Sequence, residues 1–218
     1  MIIETKYYQF KIAGSFVIAA VGTDGIIMAS EARANIFDKS DIIQTPIAYF
    51  DTIQKVFPKD NIAIAETGQG VISNVFFSAI INDFYKMLAE CNAHEVLPAF
   101  IEYANRFLPK EIQQEFFNQK LFSAGFHNST PIICYYDKEQ TPKIGCITNG
   151  FIQSDKTIFS DNYSINMNCQ ELAELAEAAI KEYASHNDRW KTIGGPVYVL
   201  KITKTNTEWI LNEPVKQK

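Results

Sequence analysis

The chain of 218 residues predicts an α+β domain of four layers, helix on sheet on sheet on helix. Three observations lead there. Strand-like and helix-like segments come in blocks, in the order strands, helices, strands, one helix, strands. The first strands are apolar on both faces, so both faces need cover. The helical segments each carry one apolar stripe and stand apart from the strands, which fits two stacked sheets covered by helices outside. A doubly wound nucleotide-binding sheet would need regular strand–helix alternation and a glycine fingerprint, and the sequence has neither.

The elements follow in order. Ser15, Val17, Ala19 and Val21 share one face of a first strand, and Phe16, Ile18 and Ala20 the other. Thr23-Asp24-Gly25 is a hairpin turn signal, and a second apolar run, Ile26 to Ala29, ends in Glu31-Ala32-Arg33. A strand pair is expected at Thr52 to Phe57 and Asn61 to Ala65, turning at Pro58-Lys59-Asp60. After Gly68-Gln69-Gly70 a helix is expected to begin near Val71, with Val75, Ile80, Phe84 and Leu88 along one side. Asn92 and Glu95 make a capping box for a second helix, and Pro109 opens a short third one bearing Ile112, Phe116 and Phe117. Strands return at Leu121 to Phe126, Pro131 to Tyr136 and Lys143 to Thr148. A second capping box, Asn168 with Glu171, starts a helix holding Leu172, Leu175, Ala176, Ala179, Ile180 and Tyr183. Pro196 to Ile202 and Asn206 to Leu211 form a closing strand pair.

Composition narrows the function. With 47% hydrophobic residues and no linker-like stretch, residues 1–218 are expected to form a single domain. A net charge of -5 without a basic cluster gives no footprint for nucleic acid or an anionic membrane. Cys91, Cys134, Cys146 and Cys169 lack ligand-like spacing and are taken as reduced thiols of a cytoplasmic protein. The three histidines form no metal motif, a pairing of Cys146 with His127 has no sequence support, and nothing implies a cofactor. The first residues lack a basic region before an apolar one, and no segment is long enough to span a membrane.

One constellation carries chemistry. Ser15 is a hydroxyl at a strand start, Glu31 an acid at a strand end, Lys55 a lysine among apolar residues, and Gly68 a glycine turn before a helix. Together they could form an acyl-transfer site. Lys55 shares a strand face with Ile53 and Phe57, so it is expected to be partly buried and to need a partner, for which Glu31 is the candidate. A structural cluster of Glu31, Lys55 and Arg33 that fixes the sheet is the alternative. Ser15 could equally be an ordinary strand-start serine, and Gly68 a plain strand-to-helix turn.

The run from Gly14-Ser15 through Thr23-Asp24-Gly25 to Glu31-Ala32-Arg33 resembles the start of a proteasome β subunit. It is equally similar to the peptidase chain of the bacterial proteasome-like protease. Gln54-Lys55-Val56, Thr67-Gly68-Gln69 and Ile193-Gly194-Gly195-Pro196-Val197 extend the likeness over most of the chain. These are N-terminal nucleophile hydrolases, so the resemblance implies their αββα sandwich. It implies Ser15 as nucleophile once Gly14-Ser15 is cleaved, with residues 1–14 as a propeptide or extension. It also implies Lys55, Glu31 and Arg33 around the nucleophile and Gly68 as oxyanion donor. Partners follow in kind: a homo-oligomeric ring, a peptide substrate and an unfoldase whose identity stays open. There are departures. The nucleophile position holds serine instead of threonine, and the acid position Glu31 instead of aspartate. The segment from Phe151 to Asn168 lacks the Gly-Ser-Gly turn and is too short for a full helix, so the second helical layer is reduced. The family's late Asp and Ser fall on Trp190 and Ile193. These losses keep a second reading open, that of an unprocessed, non-catalytic subunit with an assembly role.

Overall fold

The Asp24-Gly25 step closes the expected hairpin in a computed structural model that describes residues 10–13, 15–38, 46–73, 75–89, 92–140, 143–186 and 193–214. After β1 (Phe10–Ala13), the hairpin strands are β2 (Val17–Gly22) and β3 (Gly25–Glu31). They are followed by β4 (Ala34–Asp38), β5 (Pro46–Phe50), β6 (Val56–Lys59) and β7 (Ile62–Thr67). A small hairpin, β8 (Val71–Ile72) and β9 (Val75–Phe76), precedes the helices α1 (Phe77–Met87), α2 (Ala93–Phe107) and α3 (Lys110–Phe116). Next come β10 (Lys120–His127), β11 (Thr130–Tyr136), β12 (Ile144–Ile147) and β13 (Phe151–Gln153). The helices α4 (Ile158–Asn162) and α5 (Cys169–Ser185) lead to β14 (Val197–Ile202) and β15 (Thr207–Leu211).

The strands form several antiparallel sheets. One five-stranded sheet has the order β12-β11-β10-β7-β6 and another the order β13-β2-β3-β14-β15. A third, three-stranded sheet orders β1-β4-β5. Alternation along β2 divides its side chains as the sequence demands. Val17, Ala19 and Val21 pack with Ala63, Ala65, Phe122 and Ala124 of the other five-stranded sheet. Phe16, Ile18 and Ala20 pack with Leu172, Ala176 and Ile180 of α5. A third cluster joins Ile62 and Ile64 of β7 to Phe77, Phe84, Phe100 and Phe116 of the first three helices. Emptying any of the buried aromatic positions to alanine would cost about 3–5 kcal/mol.

Both capping boxes form. Asn92 with Glu95 closes the start of α2, and Asn168 with Glu171 the start of α5. Pro109 stands at the N-cap of α3. Among the described residues no helix is long and apolar enough to cross a membrane.

Three expectations are corrected. The helix expected near Val71 begins at Phe77, because Val71–Ile72 pairs with Val75–Phe76 as β8 and β9. β-branched Val71, Ile72 and Val75 favour the extended backbone, and Ser73 takes the left-handed turn at φ 45° with its N–H on Glu115 Oε2 at 3.0 Å. The strand expected from Thr52 starts only at Val56, which leaves Lys55 just before it instead of sharing a strand face with Ile53 and Phe57. Cys134 and Cys146, read as reduced thiols, are joined in a disulfide; the β11–β12 register sets them directly opposite, with Cα atoms 4.0 Å apart. Cys169 is a buried free thiol, pushed up to about 12 by burial and by Asp24, and Cys91 lies outside the described residues. The stretch after Gly150, expected to be too short for a full helix, holds β13 and the five-residue α4. β4 and β5 went unforeseen, since the middle of β5 is exposed and carries no apolar alternation.

Candidate functional site

The end of β3 carries Glu31 into the interior, where its side chain has no solvent contact, and Lys55 comes from the segment before β6 with 1% exposure. Lys55 Nζ donates to Glu31 Oε1 and to the Arg33 carbonyl, the latter at 2.7 Å. Glu31 Oε1 also accepts from the Phe16 N–H at 3.1 Å, and Oε2 from the Arg33 N–H at 2.6 Å. Burial pushes the Glu31 carboxyl above its ordinary range, while Lys55 and the two backbone donors pull against that rise. An ion pair this deep is held by the full set of hydrogen bonds around it, since desolvation alone would oppose it.

Ser15 is half-buried, one residue from the backbone N–H that Glu31 holds. Its Oγ accepts from the Gly68 N–H at 3.4 Å, a long and therefore weak contact. Gly68 has φ 136°, and a Cβ there would stand 1.7 Å from Gln119 Oε1, so the position demands glycine twice over. Gln119, 2% exposed, accepts from the Gln69 N–H at 2.7 Å and donates to the Glu115 carbonyl at 2.9 Å. The turn is therefore clamped from the end of α3. The expectation that Gly68 heads a helix is corrected by the intervening β8–β9 hairpin, so its donor is a loop amide without helix-dipole support.

The structure pairs Ser15 with Gly68 and Glu31 with Lys55, and Glu31 reaches the residue after Ser15 through the Phe16 N–H. Arg33 meets Glu31 and Lys55 through its backbone, and its side chain pairs with Asp51, with Nε on Oδ1 at 2.7 Å and Nη2 on Oδ2 at 2.8 Å. Glu31, Lys55 and Arg33 thus form a cluster in which Arg33 contributes its N–H and its carbonyl. The guanidinium stacks on Tyr49 with 4.0 Å to the ring centroid. The Gly194-Gly195 pair makes room for this second ion pair. A Cβ on Gly194 would meet Arg33 Cζ at 2.7 Å, and one on Gly195, at φ 75°, would meet Asp51 Cβ at 2.7 Å. Ile193 is buried and apolar, while Gly14 and Trp190 lie outside the described residues.

Four residues at or near this site escaped the sequence reading: Asp51, Glu66, Gln119 and Ser154. Ser154 ties β2 down beside Ser15, its Oγ accepting from the Val17 N–H at 3.1 Å and its N–H donating to the Val17 carbonyl at 3.0 Å. Glu66 is the one with a sequence signal. It is a lone acid in the otherwise apolar run Ile62-Ala63-Ile64-Ala65, and on β7 it is 1% exposed. Its N–H donates to the Lys55 carbonyl at 3.2 Å. Burial raises its carboxyl to about 7; Lys55 opposes that rise and Glu31 adds to it.

No family model matches the chain, and no curated protein matches it by sequence. Among solved structures it is similar to the Anbu (Gly-1) mutant from Hyphomicrobium sp. strain MC1, at 14% identity, with 92% of this chain and 89% of that chain covered and a TM-score of 0.63. At that identity the likeness shows a shared fold and leaves the residue roles to the geometry described above.

Proposed function

We propose that the chain is a peptidase of proteasome β type. In this reading it is a four-layer αββα domain of N-terminal nucleophile hydrolase type with its second helical layer reduced, working as a homo-oligomer. The observation that carries the reading is the contact of Ser15 Oγ with the Gly68 N–H, one residue from the buried Glu31–Lys55 pair. The fold shared with Anbu supports it.

The chemistry starts with the chain itself. Ser15 Oγ attacks the Gly14 carbonyl, the Gly14–Ser15 C–N bond breaks, and an ester forms while the nitrogen takes up the hydroxyl proton. Water hydrolyses the ester, releasing residues 1–14 and leaving a free α-amine on Ser15. That amine, with an ordinary pKa of about 8, is the general base for the next substrate. It takes the Oγ proton as Oγ attacks a peptide carbonyl. The Gly68 N–H donates to the developing oxyanion. The amine returns the proton to the leaving nitrogen, and water then hydrolyses the acyl-enzyme. Lys55, kept in place by Glu31, supplies a positive field that favours the Ser15 alkoxide.

One observation favours the non-catalytic reading: Ile193 brings a buried apolar side chain where the resemblance implies a polar one. Ser15→Ala and Ser15→Thr separate the two. On the peptidase reading Ser15→Thr hydrolyses fluorogenic peptides and Ser15→Ala does not. Equal, background rates in wild type and both variants would support the assembly role.

A further inference from the structure

A cavity of about 350 Å³ lies between α1 and the β6–β7 edge, lined by Glu66, Phe57, Phe76, Phe77, Asn82 and Tyr85 among others. Its size falls within the range of small-ligand sites, roughly 300–1,000 Å³. On β7 the alternation that sends Ile62 and Ile64 toward the helices sends Glu66 the same way, to the side where the cavity lies. Glu66 Oε2 is buried and has no hydrogen-bond partner among the described residues. A wholly buried carboxyl left without a partner is costly, and folded proteins keep such a group only where something else compensates it.

We propose that this cavity binds a cationic side chain, arginine or lysine, with Glu66 as its counter-ion. The inference rests on the peptidase reading only for the use of the site, which would then select basic residues in the peptide substrate.

Charge balance argues for a cation. Lys55 is bonded to Glu31, so it offsets the charge of an ionised Glu66 only in part, with Glu31 working against it. A guanidinium or ammonium offers donors to Oε2, and the aromatic walls Phe57, Phe77 and Tyr85 add attraction to their ring faces. The groups around Glu66 are few. Lys55 precedes β6, Glu31 ends β3, Lys59 of β6 turns to the Tyr85 carbonyl, and the Tyr85 hydroxyl of α1 donates to the Phe57 carbonyl at 2.7 Å. With its carboxyl raised to about 7, Glu66 is half protonated near neutrality in the empty cavity, so a bound cation expels that proton.

Benzamidine, a rigid cation, and benzamide, its neutral counterpart, test this by calorimetry on the full-length Ser15→Ala protein, where hydrolysis plays no part. Saturable binding of benzamidine but not benzamide is expected. Proton release should be clear at about pH 6 and vanish at about pH 9. Glu66→Gln is expected to weaken benzamidine roughly tenfold or more. Absence of saturable binding, equal binding of benzamide, or unchanged affinity in Glu66→Gln overturns the proposal. Binding as expected without peptide hydrolysis by wild type would sink the peptidase reading and leave this site standing. Hydrolysis with no preference for basic residues would sink the site's proposed use.

Discussion

Lys55 and Glu31 meet wholly inside the protein, and the same Glu31 carboxylate holds the backbone N–H of the residue after Ser15. One side-chain pair therefore sets both the local charge and the position of the strand that carries the hydroxyl. Lys55→Ala removes the partner and strands a buried carboxylate, at an expected cost of about 3–5 kcal/mol. Lys55→Met combined with Glu31→Gln keeps the volume, removes both charges and should cost much less. Urea denaturation makes the comparison, and equal losses would show that charge pairing is not what Lys55 contributes.

A second expectation concerns the Gly68 turn. Gly68→Ala meets both a left-handed backbone and the Gln119 side chain, and should lose roughly 1–3 kcal/mol. Gln119→Ala opens the space but leaves the Gln69 N–H without its acceptor, at a cost of about 1 kcal/mol. The double variant should be less unstable than the sum of the singles, because one steric conflict is removed. Strict additivity in denaturation midpoints would mean the two residues do not press on each other.

Glu66 makes stability depend on pH with a definite sign. Its carboxyl is raised from 4.5 to about 7, so the folded chain holds a proton that the unfolded chain has already released. That stabilising contribution is complete below pH 4.5 and is lost as pH rises through about 7. Glu66→Gln cannot ionise, and at about pH 9 it should be more stable than wild type by about 3 kcal/mol. The difference should shrink toward pH 4.5. Thermal denaturation across this range reads it directly, and parallel curves for the two proteins would contradict the burial of an unpartnered carboxyl.

The frame of the fold was legible because it rests on patterns local in sequence. Alternation in Val17 to Val21, the Asp24-Gly25 turn and the two Asn–Glu capping boxes each act within a few residues. Elements decided by distant partners were not legible. β5 exists through its pairing with β4, and the Cys134–Cys146 link through a register that spacing alone does not reveal. At the site, Ser15, Glu31, Lys55 and Gly68 could be named because each stands out from its apolar or strand context. Asp51 could not, since an acid in a polar loop carries no mark until Arg33 folds onto it. Gln119 was equally silent, because its role depends on the missing Cβ of a residue fifty positions away. The pairing of the Arg33 side chain with Asp51 was not legible, because sequence shows the strand end but not the direction in which the chain leaves it.

The central claim, that Ser15 is an N-terminal nucleophile, is tested most directly by intact mass spectrometry of the assembled protein before and after incubation with an electrophilic peptide inhibitor. Loss of residues 1–14 and one inhibitor adduct per chain, located on Ser15, are expected, with neither change in Ser15→Ala. A full-length wild-type chain that carries no adduct after long incubation would contradict that claim.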